Sequence, residues 1–161
     1  MSIKVGSSLF DDGEVHNVTS FFLHPKFVNL VKGDIPDYDV SILKLATPLS
    51  FGPGIQPVGG MVNKGQEPVA GDIGFTSGWG TLQWQGESPK VLQSVEIPVI
   101  RHEVCARTYA ADKYRLPVGQ RMFCASMSQG GEDSCNSDSG GPFIINKKIA
   151  GIVSWGHECP C

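Results

Sequence analysis

The chain has 161 residues, 40% hydrophobic and 18% charged, the ordinary balance of a globular chain able to bury a core. Its 13 Lys and Arg stand against 16 Asp and Glu, a net charge of −3, and no basic run builds a phosphate-binding face. Nucleic acid and anionic membrane surfaces are therefore excluded as partners. No apolar run reaches the length of a membrane span, and Met1-Ser2-Ile3-Lys4 is not followed by the apolar region of a secretory signal.

Glycine (20) and proline (11) are abundant enough to suit short strands joined by tight turns rather than helices. Glu14 to Leu23 is rich in β-branched and aromatic residues and stops at His24-Pro25, so a strand is predicted there. Val40 to Leu45 is a second short apolar run, bounded by Pro36-Asp37 and Thr47-Pro48. Pro53-Gly54, Gly59-Gly60 and the polar stretch from Asn63 to Glu67 then mark the best domain boundary. Beyond it, Ile73 to Trp79, Val91 to Ile100, Phe143 to Ile145 and Ile149 to Trp155 read as strands, with Asn146-Lys147-Lys148 as a hairpin turn. His102 to Ala111 differs. It lacks Gly and Pro and spaces Val104, Ala106, Tyr109 and Ala110 as a helix does, which predicts one short helix. The fold class is all-β with that single helix.

Five cysteines occur, at 105, 124, 135, 159 and 161. Only Cys159 and Cys161 are close, and their spacing is one residue short of a zinc-type pair. Two disulfides and one spare thiol are the simpler account, with no metal and no cofactor, and they imply an oxidising compartment. An export-type cysteine pattern without an export signal suggests that an N-terminal segment is missing.

The most informative stretch is Asp133-Ser134-Cys135-Asn136-Ser137-Asp138-Ser139-Gly140-Gly141-Pro142. By residue type alone it would be a surface turn. It resembles, however, the nucleophile loop of the chymotrypsin/trypsin family of serine proteases. Asp37-Tyr38-Asp39-Val40-Ser41-Ile42-Leu43-Lys44-Leu45 resembles that family's strand with the triad aspartate, and Ser77-Gly78-Trp79-Gly80-Thr81 its Gly-Trp-Gly turn. Cys124-Ala125 and Ser154-Trp155-Gly156 also fall in family order, so the likeness runs from about Ile3 to about Cys159.

The resemblance implies a double β-barrel, incomplete at both ends: residues 1–58 the remnant of the first barrel and 59–161 most of the second. It makes Ser139 the nucleophile and Asp39 the acid that orients a histidine base. The N–H groups of Ser137 and Ser139 become the oxyanion hole, although the family usually has glycine at the first of these. Asp133 becomes the base of a pocket for Lys or Arg, and Ser154, Trp155 and Gly156 the segment that pairs with substrate. Glu158 stands where the family often has glycine. Asp138 is the residue that pairs with a newly released N-terminal amine. Cys105–Cys124 and Cys135–Cys159 become disulfides, leaving Cys161 odd, while Gly74 and Ile145 replace both cysteines of another common bridge. Asn17-Val18-Thr19 fits a glycosylation site.

The family histidine does not appear. Upstream of Asp39 there are only His16 and His24, neither in an Ala-Ala-His-Cys-like setting, and His102 and His157 come later. The implied protein is a secreted, monomeric trypsin-like endopeptidase acting on peptide or protein substrates and open to a protein protease inhibitor. The chain as it stands is expected to be inactive and aggregation-prone. The alternatives are a non-catalytic homologue that binds partners through the old cleft, or an inactive truncated product.

Overall fold

Two antiparallel sheets and one helix make up the computed structural model, which describes residues 1–27, 36–82, 86–112, 115–127 and 138–156. The first sheet has strands β1 (Ser2–Val5), β2 (Glu14–Leu23) and β3 (Ser41–Leu45), in the order β1-β2-β3. At ten residues β2 is long enough to serve both neighbours. Its first half pairs with β1, Ile3 opposite His16, and its second half with β3, Phe22 opposite Ile42. Gly13, at φ +107°, turns the chain between β1 and β2, and a Cβ there would sit 2.8 Å from the Val5 carbonyl oxygen.

The second sheet has β4 (Ile73–Gly78), β5 (Gln93–Ile100), β6 (Cys124–Ala125), β7 (Pro142–Ile145) and β8 (Lys148–Ile152), in the order β6-β5-β4-β7-β8. The only helix among the described residues, α1 (His102–Ala111), lies between β5 and β6 in sequence. The buried core belongs to this sheet. Strand alternation turns Val95, Ile97 and Val99 of β5 to one face, where Ile97 and Val99 are buried with Phe143, and Phe123, Ile145 and Ala150 close around them. Phe123 meets Phe143 edge to face at 5.1 Å. The predicted helix is found with the predicted bounds, and Cys105 inside it is buried and bonded to Cys124 across a Cα separation of 6.4 Å.

Strand β4 ends at Gly78 rather than Trp79 and β7 begins at Pro142 rather than Phe143; four further boundaries differ from the sequence reading, each for a local reason. Val40 lies ahead of β3, because its N–H is turned back to the Tyr38 carbonyl. Val91 and Leu92 precede β5 and pair instead with residues of the first sheet's loop: Val91 bridges Leu9, and the Leu92 N–H donates to Ser8 O at 2.7 Å. Lys148 belongs to β8, so the hairpin turn is the pair Asn146-Lys147, both at positive φ (49° and 64°) as a two-residue turn of matching twist requires. Strand β8 ends at Ile152, because Val153 bonds to the turn after Ser139. Strand β1 was not foreseen.

The sheets differ in burial. Phe21, Phe22, Leu23 and Ile42 of the first sheet are 55–68% exposed, while the second sheet has its own core. The link passes from one to the other at residues 59–62, where Met61 bridges Ile149 and the Ile149 N–H donates to Gly60 O at 2.9 Å.

Candidate active site

Ser139 lies in a tight turn just ahead of β7. Gly140 follows at φ +85°, where a side chain would be strained, and the Gly141 N–H closes the turn on Asp138 O at 2.8 Å. The turn is fastened from the other side by Val153. Its carbonyl accepts from the Gly140 N–H at 2.7 Å and its N–H donates to Gly141 O at 2.9 Å. Ser139, the expected nucleophile, is exposed.

The next residue makes the connection to Asp39. Ser154 Oγ donates to Asp39 Oδ2 at 2.6 Å, across 115 positions of sequence. Two adjacent residues beyond β8 therefore hold both predicted catalytic groups, one through backbone and one through a hydroxyl. The sequence reading gave Ser154 only a role in pairing with substrate; its hydrogen bond to Asp39 was missed. Asp39 sits at the centre of a three-residue turn closed by Val40 N–H to Tyr38 O at 2.8 Å.

Asp138 packs into the Gly-Trp-Gly turn. Its Oδ1 accepts the Gly80 N–H at 2.9 Å. A Cβ on Gly78 would lie 2.0 Å from that oxygen, and one on Gly80 would lie 2.4 Å from Asp138 Cγ, so both glycines leave space for the carboxylate. Trp79 turns outward between them and donates Nε1–H to Ser8 O at 3.1 Å, which ties this turn to the loop of the first sheet. Trp79, Asp138, Ser139 and Pro142, with Phe10 and Leu92, line an open cleft of about 430 Å³. Trp155, next to Ser154 in the chain, is packed edge-on by Tyr109 of α1 at 4.8 Å, a contact the sequence did not reveal.

The described histidines are engaged with other partners. His16 is buried on β2 with Nε2 3.1 Å from Glu14 Oε1. His24 stacks on Tyr38 and accepts the Lys26 N–H on Nδ1 at 3.1 Å. His102 Nε2 faces Gln120 Nε2 at 3.3 Å. Among the described residues no cluster of His, Cys, Asp and Glu is arranged to hold a metal, and no helix is long and apolar enough to cross a membrane. Asn17 is exposed on β2, opposite Ser2. Asp133, Cys135, Ser137, His157, Glu158, Cys159 and Cys161 lie outside the described residues, and with them the expected pocket base, one expected oxyanion donor and the expected second disulfide.

A family model described as Trypsin matches residues 2–160. The vitellin-degrading protease of Bombyx mori is 40% identical over 98% of this chain and 57% of its own length. A trypsin of Simulium vittatum is 35% identical over 95% of this chain and 59% of its own length. Among solved structures, neuropsin, a serine protease expressed in the limbic system of mouse brain, superposes with a TM-score of 0.85 at 28% identity, over 99% of this chain and 68% of that one. The two sheets and the helix thus have the trypsin-like double-barrel fold. The chain spans a little under three-fifths of the length of these two curated relatives.

Proposed function

We propose, from the premise that this chain belongs to the trypsin family of serine proteases, that it carries the acid and nucleophile of an endopeptidase cleaving after Lys or Arg. The observation that carries the reading is the hydrogen-bonded line from Asp39 through Ser154 and Val153 to the turn of Ser139. In the complete protein a histidine outside this sequence takes the Ser139 Oγ proton as the oxygen attacks the scissile carbonyl. Asp39 stabilises the imidazolium so formed. The histidine returns the proton to the leaving amine, and water then hydrolyses the acyl-serine by the same steps in reverse. Asp133, as the pocket base, pairs with the cationic side chain of the substrate, since an unpaired buried charge is costly.

On this reading residues 1–58 belong to the first barrel and 59–161 to the second, with Ser137 and Ser139 N–H groups at the oxyanion and a Cys135–Cys159 bridge beside it. The protein is secreted and monomeric, with peptide or protein substrates, and a protein inhibitor would occupy the same cleft. The chain alone is inactive for want of the base. The full-length, activated protein should hydrolyse Lys and Arg amides and not Phe or Leu ones, and Ser154→Ala should lower kcat by removing a charge-assisted bond to Asp39. Full-length protein that is folded, activated and inert to every Lys and Arg substrate would overturn the reading. It would favour a non-catalytic homologue that binds through the same cleft, the alternative supported by Ser137 in place of the usual glycine.

A further inference from the structure

A second set of contacts, independent of Ser154, reaches the two residues just before Asp39 from the segment leading into β6. Arg121, ahead of β6, donates Nε–H to Asp37 Oδ1 at 2.9 Å and Nη2–H to Asp37 Oδ2, a two-pronged pair. Asp37 Oδ1 also accepts the Tyr38 N–H at 2.9 Å. The same guanidinium lies 4.4 Å from the centre of the Tyr38 ring, and the His24 imidazole stacks on that ring at 4.6 Å, 8° from parallel. Lys26 Nζ is 5.6 Å from it. One side chain is thus held by three cationic or aromatic neighbours from two separate segments, residues 24–26 and Arg121.

The backbone shows what this packing holds. Tyr38 has φ +54°, a conformation that costs a bulky non-glycine residue and persists only where its surroundings enforce it. Its carbonyl closes the turn around Asp39 by accepting the Val40 N–H at 2.8 Å, and the His24 N–H donates to Val40 O at 3.1 Å. Residues on both sides of Asp39 are therefore fixed, and the strained one is fixed by its own ring. The Arg121 hydrogen bonds hold the Asp37 carboxyl below the usual carboxylate value, so the pair stays charged at neutral pH.

The geometry points to Arg121 as a positioning residue for Asp39. By gripping Asp37 and covering Tyr38 it holds the strained turn that aims the Asp39 carboxylate at Ser154 Oγ and at the base. An exposed ion pair adds little to stability; its effect here is on placement. Ser154 fixes the carboxylate, and the Arg121 grip fixes the backbone beneath it. Arg121 rather than Lys is needed, because only the planar guanidinium can fork onto Asp37 and lie on the ring at once.

This inference rests on the proteolytic reading, so the test has one readout that depends on it and one that does not. In the activated full-length protein, Arg121→Met should lower kcat per titrated active site about tenfold with KM little changed, since small misplacements of catalytic groups are costly. Arg121→Lys should fall between Arg121→Met and wild type. Arg107→Met, on the exposed face of α1, should match wild type. An unchanged kcat in Arg121→Met, or an equal loss in Arg107→Met, overturns the proposal. In the same full-length protein, carboxyl 13C NMR of labelled aspartates should show the Asp39 signal displaced by Arg121→Met and not by Arg107→Met. If the full-length wild type proves inert, the proteolytic reading fails and this second readout decides. An Asp39 signal that does not move then overturns the inference as well.

Discussion

Gly80→Ala separates space from backbone freedom at the nucleophile turn. Gly80 is not among the glycines at positive φ, so alanine can adopt its conformation. The added Cβ would lie 2.4 Å from Asp138 Cγ and 2.4 and 2.5 Å from its two oxygens. Ordinary contact begins at 3.4 Å, so the carboxylate must withdraw by roughly 1 Å, which stretches the 2.9 Å Gly80 N–H bond out of range. Loss of a hydrogen bond to a charged group costs about 1.5–3 kcal/mol. Gly140→Ala is the opposite case: nothing lies within 4 Å of its Cβ, but its φ is +85°. Its cost should be about 1–2 kcal/mol, from conformation alone. Urea unfolding measures both, and Asp138→Ala tells them apart. In that background the Gly80→Ala cost should largely vanish, because the clashing group is gone, while the Gly140→Ala cost should persist. A Gly80→Ala cost that survives Asp138→Ala would refute the reasoning.

Phe143→Ala removes a buried ring that packs on Phe123 and should cost about 3–5 kcal/mol in the same assay. Replacing Cys105 and Cys124 together by Ser opens a bridge across 19 positions and should cost about 3 kcal/mol on the chain-entropy account. Asp37 titrates below the ordinary value of 3.8 because of the Arg121 hydrogen bonds. A lowered folded-state value contributes stability above 3.8 that is lost as pH falls through it. Any such contribution is small for an exposed pair, so the check is the Asp37 carboxyl itself: its NMR titration midpoint should lie below that value in wild type and rise in Arg121→Met, and an unchanged midpoint would contradict the Asp37–Arg121 pairing.

Much of the fold was legible because its signals are local. Glu14 to Leu23 and His102 to Ala111 were read with their true bounds, since a β-branched run closed by His-Pro and a Gly-free helical spacing need no partner to be seen. Strand β1 was not legible, because four residues at Ser2–Val5 become a strand only by pairing with β2. The two-residue β6 exists only against β5. Ser139 and Asp39 were singled out by motif, but the Ser154 bond to Asp39 spans 115 positions and leaves no local trace. Tyr38 reads as an ordinary strand-forming residue between two acids. That it adopts positive φ under Arg121 and His24 follows from packing that no window of sequence displays.

Val153 and Ser154 have a mechanical consequence. Neighbouring residues hold the nucleophile turn and the acid, and along an extended chain one residue is a step of about 3.3 Å. A slip of a single residue would therefore break the backbone bonds to Gly140 and Gly141 and withdraw the hydroxyl from Asp39 in one movement. The turn of Ser139 and the carboxylate of Asp39 thus share one latch at Val153 and Ser154, whose two halves should be gained or lost together.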